Sequence, residues 1–165
     1  MKRIAVLSDT HGYFDPSIPE FTGECDEVWH AGDWGREVAE KFQSAKKLRG
    51  VSGNIDGNTI RQVFPEELFF NCEGVKVFLI HIGGYPPRYE PGIKEKLQTL
   101  QPDILVCGHS HILKIMRDAG MNNLLCINPG AAGKVGFHQV RTMVRLKIEG
   151  TRIFDVEVIE LGKRA

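Results

Sequence analysis

The sequence predicts a mixed α/β (α+β) fold in which two β-sheets pack face to face, with helices on an outer face. Three observations predict it. Short strand-like segments far outnumber the two clear helical ones. The early part mixes strands with helices, whereas the end holds strands only. The 165 residues, 42% hydrophobic, suffice for one domain (residues 1–165) with a sizeable core and no second core to spare.

Taken in order, Ile4-Ala5-Val6-Leu7 is a fully apolar run and reads as a buried central strand. After His11-Gly12 the chain turns polar and proline-bearing (Asp15-Pro16, Ile18-Pro19), a loop with room for one short helical turn. A second strand covers residues 26–30 and runs into Ala31-Gly32-Asp33-Trp34-Gly35. Arg36 to Ala45 reads as a helix, because Val38 and Phe42 stand four apart among charged residues. Residues 47–51 form a third strand, ending in the turn-forming run Ser52-Gly53-Asn54-Ile55-Asp56-Gly57-Asn58. Glu67 to Asn71 and Val75 to His81 form a hairpin about Cys72-Glu73-Gly74. A Gly/Pro loop, Gly83-Gly84-Tyr85-Pro86-Pro87, follows. Ile93, Leu97 and Leu100 mark the apolar face of a helix. Ile104 to Cys107 is a strand that delivers Gly108-His109-Ser110-His111. Strands at 113–117 and 124–127 come next, the latter ending in Asn128-Pro129-Gly130. Residues 142–148 and 152–160 alternate about Glu149-Gly150-Thr151 and read as a second hairpin.

Charge and cysteine content exclude several function classes. Lys+Arg and Asp+Glu balance at 21 each, so no stable nucleic-acid partner is indicated. Cys25, Cys72, Cys107 and Cys126 form no Cys-x-x-Cys pair, which argues against a zinc ribbon or a redox motif. Buried free thiols in a reducing compartment are expected instead. No long apolar segment or small-residue cleavage site follows Met1-Lys2-Arg3, so the expectation is a cytoplasmic protein with neither signal peptide nor membrane span. A homo-oligomer is left open.

The chemistry concentrates where strands end. Residues two apart on an extended backbone point to one face, so Asp9 and His11 are expected to converge. A carboxylate with an imidazole suits a divalent first-row metal; a helix-capping aspartate is the bland alternative. Four further segments share the same grammar of an apolar strand running into Asp, His or Asn: Gly32-Asp33, Gly53-Asn54, His81, and Gly108-His109-x-His111. They hold four of the six histidines together with Asp9-x-His11. Glycines adjoin these polar residues, where backbone must approach an ion closely or take unusual dihedrals. His30, three residues before Asp33, reads as a supporting or structural residue. His138, outside every motif, reads as a surface residue.

In this order, from Asp9 to His111 and with the trailing Asn128-Pro129-Gly130, the chain resembles the calcineurin-like metallophosphoesterases. More narrowly it is similar to their small single-domain bacterial and archaeal phosphodiesterases, to which the retromer scaffold subunit is also related. The resemblance implies a four-layer αββα sandwich of two mixed sheets flanked by helices. It also implies a hydrolase of small phosphoesters that holds two divalent ions. Carried over residue by residue, Asp9, His11, Asp33 and His111 would hold one ion. Asp33, Asn54, His81 and His109 would hold the other, with Asp33 bridging. Asp33, Asn54 and His81 would then serve catalysis through the metals and a bridging hydroxide that attacks phosphorus. Two such ions about 3.5–4 Å apart clamp both sides of an in-line displacement and bring water to a pKa of about 7. The mixed N/O donors favour manganese, then nickel, iron or zinc, over calcium.

The chain departs from the family pattern in two places. Many members carry histidine directly after Gly-Asn, to stabilise the transition state or protonate the leaving oxygen; here Ile55 does neither. Losing a general acid costs about 10²–10⁴-fold, so poor leaving groups should be slow. Asp56 is read either as a partial substitute or as a turn-stabilising residue. After His81 the family often reads Gly-His, where this chain has Ile82-Gly83-Gly84. Arg88 is read as a phosphate contact or as a solvated loop arginine.

A metal-dependent phosphohydrolase, more a phosphodiesterase than a broad monoesterase, fits these features best. A diester's single negative charge suits the modest positive surplus of the implied site. The alternative from a different class is a non-catalytic metal-binding interaction scaffold of the same fold. A complete ligand set at all seven positions favours the enzyme. A closed structural zinc site, dominated by Cys and His, fits seven ligands poorly.

Overall fold

The apolar run near the N-terminus is β1 (Lys2–Leu7) in the computed structural model, which describes residues 1–165. Its parallel neighbour is β2 (Glu27–His30), which in turn pairs in parallel with β3 (Leu48–Gly50). On the other side, β1 pairs antiparallel with β11 (Val140–Glu149), and β11 with β12 (Arg152–Lys163). This five-stranded sheet has the order β12-β11-β1-β2-β3. The second sheet contains β4 (Glu67–Cys72), β5 (Val75–Ile80), β8 (Ile104–Val106), β9 (Lys114–Asp118) and β10 (Leu124–Asn128) in the order β4-β5-β8-β10-β9. Its middle strands β5, β8 and β10 are parallel and its outer pairs antiparallel.

Side-chain alternation produces the layers. Ile4 and Val6 of β1 point between the sheets and meet Val77, Leu79, Ile104, Val106 and Ile127 from the second sheet. Ala5 and Leu7, on the opposite face, pack with Ile18, Trp34, Phe42 and Phe64. These residues belong to or adjoin α1 (Ile18–Thr22), a 3₁₀ turn at Ala39–Phe42 and α2 (Asn58–Val63). Across the molecule, Phe78, Leu105 and Leu124 face out from the second sheet and are covered by Ile93 and Leu97 of α3 (Ile93–Leu100). Both faces of the central strands are covered, which is why they read as unbroken apolar runs rather than alternating ones. The result is the expected αββα sandwich with two mixed sheets. All four cysteines are free and buried. No helix is long and apolar enough to cross a membrane.

Two local expectations are corrected, and one helix forms that the sequence pattern does not announce. Residues 36–45 form only the 3₁₀ turn at Ala39–Phe42, because Glu37 takes a left-handed conformation (φ 65°) that interrupts a helix. Val38 and Phe42 are buried nonetheless; one short turn is enough to seat both. The helix α2 carries no fully buried residue, so its sequence lacks the apolar periodicity that would announce it. Within the Gly/Pro loop, β6 (Gly84–Tyr85) and β7 (Arg88–Tyr89) pair as a small ribbon.

Candidate active site

All the strands that lead into polar motifs are parallel ones, and every motif lies just beyond a carboxyl end. Open α/β sheets gather ligands at such edges. Residues 8–11 follow β1, 31–34 follow β2, 51–54 follow β3, His81 follows β5 and 107–111 follow β8. Backbone hydrogen bonds lace these segments together: Asp9 N–H donates to Gly32 O at 3.0 Å, His11 N–H to Asp33 O at 3.0 Å, and Gly108 N–H to His81 O at 2.9 Å.

Asp9 and His11 converge, but not through a β-pleat. Both take left-handed conformations (φ 55° and 44°), as do Asp33 (55°), His109 (71°) and His111 (61°). Strain of this kind clusters where side chains are forced into one spot. The Asp9 carboxylate is fully buried. Its Oδ2 accepts from the Ser8 hydroxyl at 2.7 Å and from the His109 amide at 3.0 Å. Its Oδ1 is buried without any hydrogen-bond partner, and so is Nε2 of His11. Oδ1 lies 3.2 Å from Nε2 of His111, 3.7 Å from Nε2 of His11 and 3.8 Å from Nε2 of His81.

Asp33 occupies the centre of the cluster. Its Oδ1 accepts from the Ile55 amide at 3.0 Å, while Oδ2 lies 3.1 Å from Nε2 of His81 and 3.5 Å from Nε2 of His11. Gly53 makes this possible: a Cβ there would fall 2.0 Å from Asp33 Oδ1. His81 donates from Nδ1 to the Ala31 carbonyl at 2.7 Å, so its Nε2 presents a lone pair. The Asn54 carbonyl oxygen is 3.0 Å from both His81 Nε2 and His109 Nδ1. Two groups of potential metal donors result, Asp9-His11-His111 and Asp33-His81-His109, each with its donor atoms within 4.8 Å of one another. All seven positions singled out in the sequence thus meet in one place.

Electrostatics keep both carboxylates ionised. Burial raises the Asp9 pKa, yet contacts with the His11, His111 and His81 imidazoles more than offset it and hold the group far below the usual carboxylate range. Asp33 is also lowered, burial being outweighed chiefly by His81. Burial lowers the His81 pKa, but Asp33 and Asp9 outweigh it and raise the value. For His11 the Asp9 carboxylate is the main cause of a raised pKa.

The flanking residues sort themselves plainly. His30 is a support: fully buried, it stacks on Trp34 with ring centroids 3.7 Å apart. Its Nδ1 accepts from the Gly32 amide at 3.1 Å, and its Nε2 contacts Thr10 Oγ1 at 3.0 Å. Burial presses its pKa down to about 3. Asp56 is structural as well, since its carboxylate accepts from the amides of Gly53, Trp34 and Gly35 and so is spent on the turn. Arg88 is exposed and lines a cavity of about 290 Å³ with Tyr85, His109 and Ser110. A second cavity of about 310 Å³, with Arg61 and Lys96 in its wall, adjoins Asn54 and His81.

His138 corrects the sequence reading. It is half-buried, and its ring packs edge-on against His111 at 5.4 Å. The sequence reading also missed Ser8 and Asn128. Asn128 donates from its amide to Gly108 O and Ser110 Oγ, bracing the Gly-His-x-His turn. Only the Asn-Pro-Gly run hinted at Asn128, and nothing marked Ser8 apart from its place beside Asp9.

Comparison with known proteins gives the fold and the site a context. A family profile described as the calcineurin-like phosphoesterase superfamily domain matches residues 1–151. A probable metallophosphoesterase of Mycoplasma pneumoniae is 33% identical over 138 residues, 79% of each chain. Among solved structures, a novel archaeal phosphodiesterase superposes with a TM-score of 0.73 at 19% identity, over 95% of this chain and 99% of that one. Wild-type Vps29 complexed with zinc, from Entamoeba histolytica, gives a TM-score of 0.73 at 20% identity, over 97% and 99%. At these identities the structural likenesses speak for the fold alone.

Proposed function

The chain belongs to the calcineurin-like phosphoesterase superfamily, and from that premise we propose that it is a metal-dependent phosphohydrolase, a phosphodiesterase by preference, with two adjoining sites for divalent ions. One observation carries the reading: Asp9 Oδ1 and His11 Nε2 are buried polar atoms with no partner in the chain, and both face the same cluster. Buried polar groups are normally satisfied, and a cation would satisfy both. Asp9, His11 and His111 would hold one ion. Asn54, His81 and His109 would hold the other, and Asp33 Oδ2, between His11 and His81, suits a bridge. Nitrogen and oxygen donors of this kind suit manganese, iron, nickel or zinc. When bound, such ions supply Lewis-acid polarisation of a phosphoryl oxygen and acidify water to a pKa of about 7.

The chain's own residues supply the rest. Asp9 and Asp33 are anionic at neutral pH, while Asn54 contributes a neutral oxygen and the imidazoles bind as neutral ligands. The protein would therefore cancel only part of the charge of bound ions, leaving a surplus that would attract an ester anion. The Asp9 and Asp33 carboxylates raise the His11 and His81 pKa values, so a metal would compete with protons for those rings. Ile55 follows Asn54 with its side chain about half exposed and offers no proton to a leaving oxygen. That favours esters with good leaving groups. A singly charged diester also matches a site where Arg61, Arg88 and Lys96 stand back in the walls of the flanking cavities.

The test is hydrolysis of an activated phosphodiester and the matching monoester by chelator-stripped protein, with Mn²⁺, Ni²⁺, Zn²⁺ or Mg²⁺ added back and bound metal counted. Diester cleavage that requires metal, at about two ions per chain, is the expected result. Two ions bound with no turnover on any ester would favour an interaction scaffold. No bound metal would remove the basis of the enzyme reading.

A further inference from the structure

His138 lies outside every metal motif, and nothing in the chemistry above uses it. Its Nε2 is 2.8 Å from the Gly133 carbonyl oxygen. A carbonyl only accepts, so Nε2 carries the proton and Nδ1 is a bare lone pair. That Nδ1 is buried and has no hydrogen-bond partner. His111 has the complementary need. Its Nε2 faces Asp9 Oδ1 at 3.2 Å. An imidazole that gives Nε2 to a metal carries its proton on Nδ1 and needs an acceptor there.

The two Nδ1 atoms face one point. A Cβ on Gly136 would lie 2.2 Å from Nδ1 of His111 and 3.1 Å from Nδ1 of His138. Gly136, at φ 129°, is the residue whose missing side chain keeps that point open. The anchor is shared as well: Gly133, whose carbonyl fixes His138, donates its amide to the Asp9 carbonyl at 3.0 Å.

We propose that His138 is a positioning residue for His111, accepting its Nδ1 proton through one water at that open point and so aiming Nε2 at the metal held with Asp9 and His11. The inference rests on the metal-site reading of those three residues. It makes Gly133, His138 and His111 one relay that ties the ligand ring to the backbone beside Asp9.

Three variants test it in the full chain: His138→Phe keeps a ring but removes the acceptor, His138→Gln restores an acceptor, and His138→Leu stands in should the phenylalanine variant not fold. Mn²⁺ affinity is measured at both sites by chelator competition, with the melting temperature of the metal-free protein in parallel. The expected result is a loss of about 10–100-fold at one site only in His138→Phe, with most of it recovered in His138→Gln and little change in metal-free melting. Wild-type affinity at both sites in a folded His138→Phe or His138→Leu would overturn the proposal, as would an equal loss in the glutamine variant. A wild-type protein that binds no Mn²⁺ would instead overturn the metal-site reading itself, and this inference with it.

Discussion

Asp9 and His109, one hundred residues apart, are joined across the two sheets: the His109 amide donates to Asp9 Oδ2 at 3.0 Å. Together with the Ser8 hydroxyl, this bond satisfies one carboxylate oxygen and leaves the other facing the imidazoles. The same contact that closes the sandwich at its functional edge therefore also aims a ligand atom.

Asp33→Asn separates charge from shape. Asparagine keeps an oxygen for the Ile55 amide but loses the negative charge shared between His11 and His81. Phosphodiester turnover is expected to fall by about 10²-fold or more, the scale of losing a preorganised electrostatic contact. The melting temperature of the metal-free protein should change little. Wild-type turnover would overturn the bridging role proposed for Asp33.

Gly53→Ala tests the close approach beside that carboxylate. A Cβ would fall 2.0 Å from Asp33 Oδ1, so either the turn or the aspartate must move. We expect a loss of about 1–3 kcal/mol in denaturant unfolding, together with weakened metal binding. Unchanged values of both would mean that the turn relaxes freely.

His30 gives the protein an acid-sensitive support. In the unfolded chain the ring takes up a proton below about 6.5, whereas burial holds the folded ring at about 3. Between these values the unfolded state binds more protons, so stability falls as pH falls, by up to about 1.4 kcal/mol per pH unit. Unfolding free energies of metal-free protein from pH 6.5 to 4 should decline less steeply in His30→Gln than in wild type. Parallel slopes would show that the ring titrates normally.

Asp15→Ala leaves Arg141 buried without its carboxylate, since the two form a buried ion pair tying the loop after β1 to β11. Removing one partner of such a pair costs about 3–5 kcal/mol. Chemical denaturation measures it, and a loss below about 1 kcal/mol, the range of exposed pairs, would show that solvent reaches the arginine.

Ile55→His places an imidazole directly after Asn54, on a side chain that is already half exposed. A gain in monoester turnover of about 10-fold or more is expected, within the range that general acids supply. No gain would show that the pocket, rather than the missing acid, limits that reaction.

The sequence by itself determined the chemistry of each strand end and much of the layering. Ile4 to Leu7 reads as a central strand because both faces of β1 are buried, and Asp9, His11, Asp33, Asn54, His81, His109 and His111 each follow an apolar or turn-forming run that local pattern exposes. Local pattern failed where the deciding forces are not local. The segment 36–45 carries helical spacing, yet a left-handed Glu37 breaks it. Asp9 and His11 meet through left-handed turns rather than through a pleat, held by hydrogen bonds from their amides to the Gly32 and Asp33 carbonyls on the neighbouring chain segment. Only the tertiary structure decided that Asp56 is consumed by three backbone amides and that His138 stands behind His111. The physical reason is one of range: apolar periodicity and turn propensity act over a few residues, whereas the partners of a buried polar atom are chosen by which strands lie side by side.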